Sequence, residues 1–182
     1  MLRRVRFTPG GPNEAWSLDF VADQPDDGRR VRALTLVDAV TPESRALEGG
    51  RSLRGEHVVV ALSRIGAQRG TPKGLFWDNG SAFCSRKVDL WADQHGVRIE
   101  VSRPGKPTDH ASVKPFTGTI RKECLKAHGF ESLQEAKGLI EAWRREYNTS
   151  RLHRALRDRM PEELASPVAA YRNSKGMNGA GG

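Results

Sequence analysis

A short apolar run, Leu75-Phe76-Trp77, ends on a carboxylate, Asp78, and the chain then turns at Asn79-Gly80. Glycine accepts positive φ and Asn nearly does, so this dipeptide stops whatever element precedes it. Three apolar residues bounded in this way suit a buried strand better than a helix. A charged residue at the end of a buried strand is costly unless it binds something. The fold therefore has to bring a partner to Asp78.

The candidate partners come from the order of elements. Trp16-Ser17-Leu18-Asp19-Phe20-Val21 alternates, with Trp16, Leu18 and Phe20 on one face of a strand and Asp19 on the other. Pro25-Asp26-Asp27-Gly28 is a turn signal, and Arg30–Asp38 is a second strand forming a hairpin with the first. A weaker third strand is expected through Arg45–Leu53, weakened by Gly49-Gly50. Glu56–Arg69 carries Val58, Val59, Leu62 and Ile65 at helical spacing and stops at Gly70-Thr71-Pro72. A short helix at Ser85–His95, ending at Gly96, precedes a short strand at Val97–Val101. The loop Arg103 to Thr108 carries two cations, and the chain from Asp109 to about Lys126 reads as partly helical.

The clearest helix is Leu133–Tyr147. Ser132-Leu133-Gln134-Glu135 is a capping box, and Leu133, Ala136, Ile140, Trp143 and Tyr147 form one apolar stripe. Asn148–Pro161 reads as a basic loop, Pro161-Glu162-Glu163-Leu164 opens a last short helix, and Ser174–Gly182 has the composition of a disordered tail. The sum is an α/β domain whose mixed sheet is antiparallel early and parallel later. Residues 1–15 read as a basic linker or stub, 16–165 as the core and 166–182 as the tail.

Composition narrows the partners. The net charge of +8 over 182 residues favours a polyanion such as nucleic acid. Cys84 and Cys124 are too few for a disulfide framework, and with five scattered histidines they show no zinc spacing. No apolar run reaches the roughly 20 residues that span a bilayer. The basic N-terminus lacks the apolar segment of a signal peptide, so a cytoplasmic protein is the default.

Asp19 and Asp78 now form a hypothesis. Two carboxylates on neighbouring strands repel one another and are stable together mainly with cations bound. Hard cations with oxygen ligands imply Mg2+ or Mn2+. A pair of such ions about 4 Å apart clamps the oxygens of a phosphodiester displacement. The competing reading has each Asp merely solvating a strand end.

The motifs, taken in order, resemble a known family. Trp16-Ser17-Leu18-Asp19-Phe20, Thr35-Leu36-Val37-Asp38, Trp77-Asp78-Asn79-Gly80 and Arg103-Pro104-Gly105-Lys106-Pro107-Thr108 resemble the catalytic core of bacterial insertion-sequence transposases in the retroviral integrase superfamily. Trp143, Tyr147-Asn148, Arg151, His153, Pro161 and Glu162 resemble its closing signature. The resemblance spans about Trp16–Leu164. It implies a ribonuclease-H-like mixed five-stranded sheet flanked by helices. It also implies an Asp-Asp-Glu triad that cuts and rejoins DNA with two Mg2+ (or Mn2+) ions. Asp19 matches the first acid and Asp78 the second.

The third acid is missing. The family's Glu falls at Lys114, and its local pattern Glu-Ser-Phe-Asn-Gly stands here as Lys114-Pro115-Phe116-Thr117-Gly118. A protonated Lys has no lone pair for a metal and repels it. It could instead pair with Asp19 or Asp78. Pro115 is expected either to kink the helix or to begin it. Glu123 and Asp109 lie off the helix face of position 114, so neither is expected to substitute. Ala39-Val40 after Asp38, the residue before His153, and Thr149-Ser150 depart from the family pattern as well.

Two readings follow. One is a transposase core for DNA strand cleavage and transfer, degenerate because Lys114 replaces the third acid. The alternative is a non-catalytic DNA- or partner-binding remnant of such an enzyme. An unrelated basic α/β binding domain is a distant third. Arg103, Lys106, Arg121, Lys122, Arg151 and Arg154 are the cations expected at phosphates. Recognition of element ends is expected to come from an upstream helix-turn-helix subunit, and a homo-oligomer is a further candidate partner.

Overall fold

The computed structural model describes residues 7–23, 30–78, 85–102, 113–127 and 129–150. Strands β1 (Ala15–Asp23), β2 (Val31–Asp38) and β3 (Ser44–Gly50) form an antiparallel meander. Helix α1 (Gly55–Arg69) crosses to β4 (Gly74–Asp78), and α2 (Arg86–His95) crosses to β5 (Arg98–Ser102). Both crossovers return parallel strands, giving one mixed five-stranded sheet of order β3-β2-β1-β4-β5. Helix α3 (Val113–Ile120) runs into a π-helical turn at Arg121–Leu125, and α4 (Leu133–Ser150) closes the described chain.

Strand alternation sorts the core into two layers. Trp16, Leu18, Leu34, Leu36, Leu75 and Trp77 face α1 and α2, meeting Leu62, Ile65, Val88 and Trp91. Val21, Ala33, Val37 and Leu47 face the other way, meeting Phe116, Ile120, Leu125, Ile140 and Tyr147. Asp19 lies on this second face, as alternation from Leu18 requires. The α2 cap is local: Ser85 accepts the Lys87 N–H at 3.2 Å, and Gly96 ends the helix at φ +65°, where a side chain would be strained. Gly55, at the start of α1, abuts Ser85, where an added Cβ would lie 2.0 Å from Ser85 Oγ. The close approach of these two helix starts fixes where the chain re-enters after β4.

Three expectations need correction. The third strand is Ser44–Gly50, not Arg45–Leu53, and its glycines are packing requirements rather than breaks. A Cβ at Gly49 would lie 3.1 Å from Ile140 Cδ1, and one at Gly50 would lie 2.8 Å from Leu53 Cδ2. Pro115 does not begin α3, since Val113 and Lys114 before it are already helical. Its missing N–H removes one backbone donor from the helix. Helix α4 runs through Asn148, Thr149 and Ser150, where a loop was expected. The capping box holds in modified form, with Ser132 Oγ accepting from the Glu135 N–H at 3.1 Å and Glu135 reaching back to the Glu131 N–H at 2.7 Å.

At the end of the sheet where β1 begins, buried charges lock the meander. Asp38 accepts from the N–H groups of Val40, Thr41 and Asn13 at 2.8, 2.9 and 2.7 Å, and from Arg45 Nη2 at 2.8 Å. Glu43 joins Arg45 at 3.2 Å to Arg69 at 2.8 Å. Asp38, which sequence alone offered only as part of a motif, is thus a structural carboxylate far from the β4 terminus.

Candidate active site

The parallel pairing of β1 with β4 runs Ala15↔Gly74 to Leu18↔Trp77. The next residue on each strand is Asp19 and Asp78, so the two acids occupy neighbouring positions on strands about 4.8 Å apart. Asp78 pairs through its backbone with Ser102 of β5. The carboxyl ends of β4 and β5 therefore open beside Asp19, the usual place for a ligand crevice in an α/β sheet.

Asp19 is half-buried and held by two elements. Its Oδ1 accepts from the Phe20 N–H at 2.8 Å, and its Oδ2 accepts from Thr117 Oγ1 at 3.0 Å. Beside it, Thr35 Oγ1 donates to the Asp19 carbonyl at 3.1 Å. Thr117 itself is buried, on a helix whose Phe116 packs edge-on against Tyr147 (ring centroids 4.8 Å apart) and tilted against Trp143 (5.6 Å). Trp143 and Tyr147 are therefore core residues that seat α3 on the sheet.

Lys114 is exposed, one turn before Thr117 on α3, and Arg121 and Lys122 are exposed in the π-helical turn that follows. Position 117 is thus bracketed by cations one turn away on each side. Glu123 accepts from Trp143 Nε1 at 3.3 Å, which directs its carboxylate to α4. Cys124 is buried, and burial pushes its thiol up to about 11, leaving it unreactive. Arg103, Lys106, Asp109, Arg151, His153 and Arg154 lie outside the described residues. A cleft of about 410 Å3 runs along the β3 edge between α1 and α4, lined by residues such as Arg64, Lys137 and Arg144, and Asp19 does not border it.

Thr117 is the residue that sequence reasoning missed. Its signal was present, three residues after Lys114 and so on the same side of a helix.

Profiles of the integrase core domain match residues 9–107 and 95–161. The chain belongs to the integrase core domain family. Among insertion-element relatives, the IS407 protein of Burkholderia multivorans is 43% identical over 167 residues, 91% of this chain and 60% of that protein. The IS476 protein of Xanthomonas euvesicatoria is 38% identical, over 92% of this chain and 47% of that protein. Both relatives are proteins of bacterial insertion elements, and this integrase core spans about half to three fifths of their length. The HTLV-2 integrase catalytic core in complex with magnesium superposes with a TM-score of 0.69 at 15% identity, covering 87% of this chain and 100% of that one. The integrase core thus has the ribonuclease-H-like fold that its motifs implied. Among the described residues, no helix is long and apolar enough to cross a membrane.

Proposed function

We propose that this integrase core binds DNA and one divalent cation but does not carry out strand cleavage and transfer. The observation that carries the reading is the composition of α3. The helix that meets Asp19 presents Thr117 to it and Lys114 one turn away, and no acid. Among the described residues, no three metal-ligating side chains stand together.

Mg2+ is often held by one or two carboxylates, with substrate phosphates and water completing its shell. Asp19 and Asp78 meet that need for one cation, and the set falls short of what a pair requires. When bound, the cation would neutralise a DNA phosphate at the strand ends. The chain's own part is to orient Asp19 through Phe20 and Thr117, and to attract the duplex with Lys114, Arg121 and Lys122. Arg103, Lys106, Arg151 and Arg154 belong to the same proposal, as does residues 16–165 as the functional unit. The HTLV-2 cores, solved with magnesium in trimeric and dimeric forms, support a cation and a homo-oligomer for this fold. An upstream helix-turn-helix subunit for end recognition and a cytoplasmic location complete the reading.

The test is Mg2+- or Mn2+-dependent nicking of a labelled DNA end by the unmodified chain, beside Lys114→Glu and Lys114→Glu/Pro115→Ser. The unmodified chain should bind DNA with salt-dependent affinity and leave it uncut. Cleavage by the unmodified chain that disappears in Asp78→Asn would overturn the proposal.

A further inference from the structure

We infer that Thr117 is the positioning residue for Asp19, setting the orientation in which this carboxylate meets a cation. The inference deepens the proposed function and rests on its reading of Asp19 as a metal ligand.

A carboxylate on a strand rotates about its terminal bond unless its oxygens are held. Here the backbone of β1 itself donates to one oxygen through the Phe20 N–H, and a different element donates to the second oxygen through Thr117 Oγ1. Turning the carboxylate breaks at least one of these bonds. Thr117 is suited to the task because a β-branched side chain in a helix has few χ1 states, and burial restricts this one further. Its hydroxyl is a neutral donor, so it orients Asp19 without adding a charge that competes with a cation. The contact also ties the orientation of Asp19 to the seating of α3, which rests on Phe116 against Trp143 and Tyr147. Lys114, one turn earlier on the same helix, cannot take this part, since its charge opposes a bound metal. Groups that hydrogen-bond a metal ligand from behind typically govern metal affinity by 10- to 100-fold, and Thr117 stands in that relation to Asp19.

The experiment measures Mn2+ binding to the full chain by loss of the free-ion electron paramagnetic resonance signal. It compares wild type, T117V, T117A, T117S and D19N, with circular dichroism recording that each is folded. D19N should abolish the site. T117V and T117A should weaken Mn2+ binding about tenfold. T117S, which restores the hydroxyl, should stay within about twofold of wild type, an effect a purely packing role would not produce. T117A serves if T117V does not fold. Wild-type affinity in T117V and T117A, with D19N still abolishing binding, would overturn this inference alone, as would equal weakening in T117S and T117A. Mn2+ binding indifferent to D19N would remove the metal reading of Asp19, and this inference with it.

Discussion

Asn148, in the last turn of α4, closes the start of β3 by pairing with the backbone of Ser44. Its Oδ1 accepts from the Ser44 N–H at 2.9 Å, and its Nδ2 donates to the Ser44 carbonyl at 3.0 Å. The carboxamide stands in for one residue of a neighbouring strand at the β3 edge of the sheet, which α4 covers. Arg144 Nη1 adds a second donor to the same carbonyl at 2.8 Å. Asn148→Ala leaves the buried Ser44 N–H without this acceptor, whereas the carbonyl keeps Arg144. The expected loss is about 2 kcal/mol, the usual cost of orphaning a buried polar group. Asn148→Asp should cost at least as much, because a carboxylate cannot donate to the carbonyl. Urea titration of the three proteins checks both.

The buried charges at Asp38 should be asymmetric in their importance. Asp38→Ala strips Arg45 of one buried partner and removes the acceptor for three backbone N–H groups. Breaking such a pair from one side costs about 3–5 kcal/mol. Arg45→Met should cost less, since Asp38 keeps its backbone donors and Glu43 keeps Arg69. Equal losses in denaturant titrations would contradict the assignment of Asp38 as the centre of this network.

Much of the fold was legible because its signals are local. The alternation in Trp16–Val21, the helical stripe in Leu133–Tyr147 and the stop at Gly96 each need only neighbours in the chain. What was not legible depends on distant partners. Gly49-Gly50 look like strand breakers until Ile140 and Leu53 fill the space a Cβ would take. The last described turn of α4 bonds a partner 104 residues away. In the site, Asp19 and Asp78 stood out as acids on strands. Thr117 did not, because its contact with Asp19 spans 98 residues and follows from how α3 lies on the sheet.

Acid should weaken the ion pairs within α4 in a defined window. Hydrogen bonds from Arg144, then from Arg145, hold the Glu141 carboxyl down from its ordinary 4.5 to about 2. A group depressed on folding contributes its stabilisation fully above its unfolded value and loses it as pH falls through the folded one. The contribution of Glu141 therefore fades between about pH 4.5 and about pH 2. Its side chain is 40% exposed, so solvent screening keeps the effect below about 1 kcal/mol. Glu141→Gln should flatten the stability profile within that window and leave its shape elsewhere unchanged, as measured by denaturation across pH.

The exposed cations on the π-helical turn should act on DNA affinity rather than sequence choice. Arg121 and Lys122 leave the sheet surface while Cys124 and Leu125 of the same turn enter the core. A point charge meeting a phosphate releases a counterion and reads no base. Arg121→Ala and Lys122→Ala should each weaken binding to unrelated duplexes alike and reduce the slope of log affinity against log salt by about 1. Lys114→Ala should do the same if position 114 meets the duplex beside Asp19. Fluorescence anisotropy over a salt series separates these outcomes: an unchanged slope in a variant removes that residue from the DNA surface. A loss confined to one sequence would instead assign it to base readout.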